Sequence, residues 1–223
     1  MQHKKTVRSS NNPPQRTGWL GIMDAIILSG GKQRRMGGRE KAFLEIGGKS
    51  LIERKVNLLS GIFSRIIVVT NNPAAYEHLP VTLVPDEKEG FGPLMGLCCG
   101  LEKSQSEYCF VTTCDTPFVQ EALIKHLNAA AVGFDVAVPM WHGCYEPLCA
   151  VYSRRCIEHI RKTLETERKV ILFYDKVNVN SIPMETVQQF DPEGISFFNI
   201  NTDQDYEEAL RIYKGFRDPK DTA

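Results

Sequence analysis

The sequence predicts an α/β domain in which helices flank a mainly parallel central sheet. From Asp24 onward, short apolar runs alternate with longer stretches of helical periodicity, which is typical of repeated strand–helix units. The chain has 223 residues, enough to bury one sizeable core, and neither an internal repeat nor a linker marks a second domain. We therefore expect a single domain over residues 24–216.

The strands are predicted where short apolar runs rich in β-branched residues occur. These runs are Ala25–Leu28, Arg65–Thr70, Thr82–Val84, Tyr108–Thr112, Asp135–Pro139 and Pro147–Tyr152. The helices are predicted from apolar residues at helical spacing, at Leu51–Ile62, Leu94–Lys103, Gln120–Ala131, Ser153–Leu164 and Asp203–Tyr213. Thr202 or Asp203 is the expected N-cap of the last helix.

The overall composition gives no sign of a nucleic-acid or membrane partner. Hydrophobic residues make up 42% of the chain, and 27 Lys and Arg residues balance 27 Asp and Glu residues. No apolar run reaches the roughly 18 residues of a membrane span. The first 23 residues also lack the apolar centre of a secretory signal. We expect a cytoplasmic protein in which any anion site is local.

The two ends of the chain are predicted to be tails. Residues 1–23 contain Lys4, Lys5, Arg8 and Arg16, no acidic residue, and too few apolar side chains to bury much surface. We expect this segment to be a disordered basic tail, and residues 217–223 to be a short C-terminal tail.

The seven cysteines are predicted to be reduced. They lie mostly in apolar stretches, without a C-x-x-C pair and without histidines at metal-ligand spacing. We interpret them as core residues.

The loop after the first strand has the composition of a phosphate-binding loop. Residues 29–38 contain four glycines, the basic residues Lys32, Arg34 and Arg35, and no carboxylate. Glycines let backbone N–H groups approach an anion closely, and guanidinium groups can form paired hydrogen bonds with phosphate oxygens. A solvated connection is the simpler alternative, but the absence of acidic residues favours phosphate. Lys41 follows at a distance that could reach the same ligand.

Two well-known glycine-rich motifs do not fit this region. A dinucleotide-binding fingerprint needs G-x-G-x-x-G, whereas Gly30 is followed directly by Gly31. A Walker A loop would end in Gly48-Lys49-Ser50, but Phe43 occupies the position of its first glycine. Gly47 and Gly48 are better interpreted as a turn.

Two carboxylates follow predicted strands directly. Asp86 comes after the Thr82–Val84 strand, and Asp115 lies in Cys114-Asp115-Thr116-Pro117 after a buried strand. Since the carboxyl ends of parallel strands meet at one edge of a sheet, both should converge with the glycine-rich loop. Asp86 alone could be an exposed turn residue. A phosphate-binding loop beside an Asp that can bind Mg²⁺ favours phosphoryl or nucleotidyl transfer.

Together these residues resemble the molybdenum cofactor guanylyltransferase family. The resemblance begins with Leu28-Ser29-Gly30-Gly31, Arg34-Arg35-Met36-Gly37, Lys41 and Asp86, and continues through Cys114-Asp115-Thr116-Pro117, Glu146-Pro147-Leu148 and Phe198-Asn199-Ile200-Asn201-Thr202. These segments span residues 24 to about 213. The resemblance implies a Rossmann-like nucleotidyltransferase fold.

The resemblance also implies an activity, which is transfer of GMP from GTP to the phosphate of molybdopterin or Mo-molybdopterin, with Mg²⁺. It places GTP against Leu28, Ser29, Gly30, Gly31, Lys41, Asn71, Asp86 and Asp115. Arg35 and Lys41 would neutralise the triphosphate, Asp115 would bind Mg²⁺, and Asn71 is expected near the guanine. The pair Gly30-Gly31 favours guanine, because the family's cytidylyl relatives carry Ala-Ala-Gly where this chain has Ser29-Gly30-Gly31.

The same resemblance places Asn199 and Asn201 on the pterin side of the site. Their chemistry alone equally fits caps of the last helix. Molybdoenzyme apoproteins and other cofactor-biosynthesis proteins are possible partners. Two alternatives stay open: a nucleotidyltransferase of the same fold that acts with CTP on molybdopterin or on another small-molecule phosphate, and a non-catalytic GTP-binding protein that delivers the cofactor.

Overall fold

The computed structural model describes residues 23–29, 40–87 and 90–216. Its strands are β1 Asp24–Leu28, β2 Glu45–Ile46, β3 Lys49–Ser50, β4 Arg65–Val69, β5 Thr82–Val84, β6 Tyr108–Thr113, β7 Val136–Trp141, β8 Cys144–Tyr145, β9 Ala150–Ser153 and β10 Val179–Ile182. Its α-helices are α1 Leu51–Ser60, α2 Pro93–Lys103, α3 Glu121–Ala130, α4 Ile157–Leu164, α5 Met184–Val187 and α6 Asp203–Phe216. The two predicted tails lie outside the described residues, apart from Met23, which is buried.

The central sheet is mainly parallel, which confirms the predicted fold class. Its strand order is β10-β7-β9-β6-β1-β4-β5, with β8 paired to β7. Neighbouring strands from β6 to β5 are all parallel, and β10 is parallel to β7. Strand β9 is antiparallel to both β6 and β7. The parallel arrangement expected from successive crossovers therefore does not extend to β9.

The direction of β9 follows from a tight hairpin after β7. Trp141 and Cys144 pair across a two-residue turn, in which His142 has φ 46° and Gly143 has φ 78°. Positive φ at both central residues matches the turn type that joins antiparallel strands with the right-handed twist of a sheet. The chain thus returns without a helical crossover, and it re-enters the sheet in the opposite direction.

Helices cover both faces of the sheet. In β1, Ala25 and Ile27 face a core cluster that includes residues of α1 and α3, whereas Ile26 and Leu28 face a cluster with residues of α2 and α4. A third, smaller cluster lies between the β2–β3 hairpin and α6. Within the described ranges, no helix has both the length and the apolar character that a bilayer crossing requires.

Serine hydroxyl groups set two of the element boundaries, and one of these boundaries differs from the prediction. Ser153 was expected to begin a helix, but it ends β9, and its hydroxyl accepts a hydrogen bond from the Arg155 N–H of a 3₁₀ turn before α4. At α1, Ser50 and Glu53 form a reciprocal capping box that fixes the helix start as predicted. Gly47 and Gly48, with φ 63° and 75°, form the predicted turn, here between β2 and β3.

Gly100 allows α2 to pack closely on β1. A Cβ atom at this position would lie 2.7 Å from Cγ2 of the fully buried Ile26. We expect Gly100→Val to lower the free energy of unfolding by about 1–3 kcal/mol through overpacking. Chemical denaturation would measure this loss. Gly215→Val is the control, because no described atom outside the adjacent residues and the helix backbone lies within 4 Å of a Cβ at this position, so the change should be tolerated. Equal effects of the two substitutions would contradict the packing argument.

The cysteines are free, as predicted, and six of the seven are buried. Burial raises the pKa of Cys98, Cys109, Cys149 and Cys156 from 9.0 to about 12. Unfolding therefore releases protons between these two pH values, so the native state loses stability as the pH rises through that range.

We expect the melting temperature to fall steeply above pH 9. Each of the four thiols lowers the free energy of unfolding by about 1.4 kcal/mol per pH unit. Lys55 acts in the opposite direction from about pH 8 to 10.5, because burial lowers its pKa to about 8, but one lysine offsets only one thiol. Thermal melts from pH 8 to 11 measure the slope, and Cys156→Ala should make it shallower. A melting temperature that stays constant above pH 9 would contradict the expectation.

Candidate active site

The ends of four parallel strands lie in register at one edge of the sheet. Leu28 of β1 pairs with Val69 of β4 on one side and with Thr113 of β6 on the other, and Val69 pairs with Val84 of β5. The predicted site residues Ser29, Asn71, Asp86 and Asp115 all lie one or two positions beyond this line. The structure therefore brings these four residues to the same edge, where ligands bind in open α/β folds.

Asp86 and Asp115 lie towards opposite ends of this edge. They follow β5 and β6, which are three strand spacings apart, or about 14 Å. At that separation the two carboxylates cannot share one metal ion. They define two halves of a site long enough for an extended ligand.

The half near Asp86 is built from two loops and one helix. The Asp86 backbone N–H donates a hydrogen bond to Oδ1 of Asn71 at 3.2 Å. Gly96 of α2 lies beside both Leu28 and Asp86, since a Cβ on Gly96 would be 3.2 Å from Leu28 Cδ2 and 3.9 Å from Asp86 Oδ1. Any larger residue at Gly96 would crowd this corner.

The Ser29 side chain contacts the protein core. Its hydroxyl and the Tyr76 hydroxyl are 2.7 Å apart in a buried hydrogen bond, and burial raises the Tyr76 pKa. The Ser29 backbone N–H donates to the Val69 carbonyl. Ser29 thus fixes the start of the glycine-rich loop. The predicted residues Gly30, Gly31 and Arg35 lie outside the part of the chain that the structure describes.

Lys41 is buried at the edge of the site and contacts Asn201. Only 5% of Lys41 is exposed, and its Nζ donates a hydrogen bond of 3.1 Å to the Asn201 Oδ1. Within residues 40–87 and 90–216, Lys41 forms no ion pair with a carboxylate. A neutral amide orients the ammonium group without cancelling its charge, so this group can attract an anion.

Asp115 has one carboxylate oxygen suited to a cation. Its Oδ1 is shielded from solvent and accepts no hydrogen bond from any residue that the structure describes. The Asp115 backbone carbonyl accepts a hydrogen bond of 2.9 Å from the Ile200 N–H, which holds the two loops together. A buried carboxylate oxygen without a donor is costly unless a cation binds it.

Mg²⁺ does not need more than one carboxylate ligand from the protein in a site that also binds phosphates. The described residues contain no cluster of three or more metal-ligand side chains. Mg²⁺ commonly takes one or two carboxylates and completes its shell with substrate phosphates and water. The position of Asp115 fits that pattern.

The segment from Asn199 to Asp205 both enters α6 and borders the site. The Asp205 carboxylate accepts hydrogen bonds from the backbone N–H groups of Asn201 and Thr202, and the Thr202 hydroxyl accepts from the Asp205 N–H. Thr202, one of the two predicted candidates, is therefore the N-cap of α6. Because the Asn201 side chain contacts Lys41, Asn201 both takes part in the helix entry and contacts a predicted site residue.

Sequence reasoning missed Lys55, a buried lysine behind Asp115. Lys55 is 2% exposed and lies on the buried side of α1 with Leu51, Ile52 and Val56. Burial lowers its pKa to about 8, although the nearby Cys149, Cys114 and Asp115 favour its charged form. Its position within the apolar stripe of α1 was the available signal.

An open α/β sheet that carries a buried lysine and a buried carboxylate oxygen without a hydrogen-bond donor among the described residues at its carboxyl edge fits a nucleotidyltransferase. Residues 25–177 match the model of the MobA-like NTP transferase domain. The molybdenum cofactor guanylyltransferase of Desulfosudis oleivorans is 38% identical over 200 residues, which cover 87% of this chain and 99% of the relative.

Solved structures agree with this match. Molybdopterin-guanine dinucleotide biosynthesis protein A from Archaeoglobus fulgidus superposes with a TM-score of 0.75 at 30% identity, covering 87% of this chain and 100% of that one. A nucleotidyl transferase from Methanothermobacter thermautotroptrophicus shares the fold. It superposes with a TM-score of 0.69 at 18% identity, covering 88% of this chain and 99% of that one. The chain belongs to the molybdenum cofactor guanylyltransferase family.

Proposed function

We propose that the protein transfers the GMP unit of GTP to the terminal phosphate of molybdopterin or Mo-molybdopterin. The phosphate oxygen of the pterin attacks the α-phosphorus of GTP, a new P–O–P bond forms, and the bond to the β-phosphate breaks. The products are a molybdopterin guanine dinucleotide and pyrophosphate. The named relatives in the same family support this choice of substrates.

The observation that carries the proposal is the meeting of Lys41, Asn201 and Asp115. The Lys41 ammonium contacts Asn201, and the adjacent Ile200 N–H donates to the Asp115 carbonyl. The segment Ile200–Asn201 therefore holds both the Lys41 ammonium group and the backbone of Asp115. This arrangement supplies positive charge to a triphosphate and a ligand to a cation.

Lys41 would offset the charge that accumulates when two phosphates approach each other. Attack by one anion on another is slow because of repulsion, and a positioned ammonium group that needs no reorganisation reduces it. Asn201 would keep Lys41 oriented through their hydrogen bond of 3.1 Å. Arg35, together with Gly30 and Gly31, is proposed to bind the triphosphate from the loop after β1.

Asp115 would hold Mg²⁺, which supplies charge neutralisation and orients the phosphates. The chain's own contribution is the buried Oδ1 and the hydrogen bond from Ile200 that fixes the turn. Asn199, exposed beside this turn, is proposed to lie on the pterin side.

The guanine base would occupy the half of the site near Asn71 and Asp86. A carboxylate at the base edge can accept hydrogen bonds from the N–H groups of guanine, which cytosine does not present in the same arrangement. Leu28 would pack against the nucleoside where β1 ends. Delivery of the product to molybdoenzyme apoproteins and a cytoplasmic location stay predictions.

A panel of nucleoside triphosphates tests the proposal. The protein, Mg²⁺ and molybdopterin are incubated with GTP, CTP, ATP or UTP, and pyrophosphate release is measured. We expect GTP to exceed CTP by orders of magnitude, because a site that hydrogen-bonds one base leaves its polar groups unpaired with another. Equal turnover of GTP and CTP would reject the guanylyl assignment, and no turnover with any nucleotide would favour a binding protein.

A further inference from the structure

Lys55 occupies an unusual place for a charged residue. It is 2% exposed and lies on the buried side of α1, together with Ile52 and Val56. A buried ammonium group destabilises the folded state unless its hydrogen-bond donors are used well. All three N–H donors of Lys55 form hydrogen bonds, and their acceptors belong to Thr112 and Thr116, on either side of the turn that follows β6.

That turn is the one that presents Asp115. The Lys55 Nζ donates to the Thr112 hydroxyl at 3.4 Å, to the Thr116 hydroxyl at 3.1 Å, and to the Thr116 carbonyl. Thr112 lies in β6, and Thr116 follows Asp115 directly. A single group therefore contacts the turn on both sides of the carboxylate.

The threonines of the turn also contact one another, since the Thr116 hydroxyl lies 3.4 Å from the hydroxyls of both Thr112 and Thr113. The Thr116 hydroxyl also donates to the Thr113 carbonyl at 3.2 Å, which closes the turn on itself. On its other side, the Ile200 N–H binds the Asp115 carbonyl. Without Lys55, the Thr116 carbonyl would lose its donor inside the core, and the turn would relax to recover one.

We propose that Lys55 is a positioning residue, whose hydrogen bonds hold the turn from Thr112 to Thr116 so that the Asp115 carboxylate is presented to the divalent cation. This inference rests on the proposed role of Asp115. Lys55 acts through the turn and does not touch substrate, because it is enclosed between α1 and the sheet.

The direction of the effect separates positioning from simple charge. A positive charge behind Asp115 repels a second cation, so its removal without any change in geometry would strengthen metal binding. Loss of a residue that orients a metal ligand typically weakens metal affinity by roughly 10- to 100-fold. Removal of Lys55 should therefore weaken metal binding if Lys55 positions the turn, and strengthen it if Lys55 acts only through its charge.

Mn²⁺ binding provides the test, measured by the electron paramagnetic resonance signal of free Mn²⁺ with GTP and without molybdopterin. We expect Lys55→Met to weaken binding about 10-fold or more, and Lys55→Gln, which keeps a donor, to weaken it less. In turnover assays the Mg²⁺ concentration for half-maximal rate should rise, while KM for GTP at saturating Mg²⁺ stays close to that of the wild type. Lys125→Met, at an exposed lysine paired with Glu121, is the control.

Thr116→Val keeps the carbonyl acceptor and removes only the hydroxyl, so it should cause a smaller loss of Mn²⁺ affinity. If Lys55→Met does not fold, this variant decides the question. Unchanged or tighter Mn²⁺ binding by the folded variants, with binding lost in Asp115→Asn, would overturn the role of Lys55. Wild-type binding by Asp115→Asn would instead remove Asp115 as the metal ligand, which is a failure of the proposed function.

Discussion

Asp115→Asn is expected to lower kcat by about 10²- to 10³-fold, the usual loss when one electrostatic stabiliser of a transition state is removed. An amide has almost the same shape as the carboxylate but cannot supply the negative charge that a divalent cation requires. The Asp115 backbone carbonyl, which binds the Ile200 N–H, is unchanged by the substitution. The fold should therefore survive while turnover is lost, and steady-state pyrophosphate release measures the difference.

Asp175→Asn is the matched control for this experiment. Asp175 is an exposed carboxylate that pairs with Lys176 in the 3₁₀ segment Val170–Lys176. Its replacement should leave turnover unchanged. Circular dichroism and thermal melting of both variants separate a catalytic loss from unfolding. Wild-type Mg²⁺-dependent turnover by Asp115→Asn would remove this residue from the mechanism.

Lys41→Met is expected to lower kcat by about 10²-fold. The buried ammonium group is held by a neutral amide and not by an ion pair with a carboxylate of the described residues, so its charge can act on the triphosphate. Asn201→Asp tests the same idea without touching the lysine. A carboxylate in place of the amide would form an ion pair with Lys41 and cancel its charge, so turnover should fall here too. Asn201→Ala, which removes the acceptor but leaves the charge, should have a smaller effect.

Lys49→Met controls for the loss of a lysine elsewhere. Lys49 is exposed on the β2–β3 hairpin, and its removal should not change turnover. In the pyrophosphate assay we expect Lys49→Met to be the fastest variant and Asn201→Ala to be slower. Asn201→Asp and Lys41→Met should be the slowest. An Asn201→Asp variant as active as Asn201→Ala would show that the free charge of Lys41 is not what matters.

The sequence predicted the part of the fold that depends on local pattern. The apolar runs of β1, β4 and β6 were recognisable because strands buried on both faces are continuously hydrophobic. Their parallel pairing followed from the helices between them. The line of strand ends that positions Asp86 and Asp115 was therefore predictable, and the register confirms that they reach one edge.

What depends on long-range contacts was not predictable. The reversal of β9 is set by a hairpin whose His142 has a positive φ, which is unusual for a residue other than glycine. Strand β10, Val179–Ile182, alternates too briefly to stand out, and it gains its place only by pairing with β7. The burial of Lys41 and Lys55 is likewise decided by residues more than fifty positions away, such as Asn201 and Thr112.

The central claim is that the GMP unit of GTP moves to the molybdopterin phosphate. Parallel reactions with [α-³²P]GTP and [γ-³²P]GTP, each with Mg²⁺ and molybdopterin, test it most directly. We expect the α label to appear in a pterin dinucleotide and the γ label in pyrophosphate. Transfer of the γ label to the pterin, or its release as inorganic phosphate with the α label left in GDP, would contradict it.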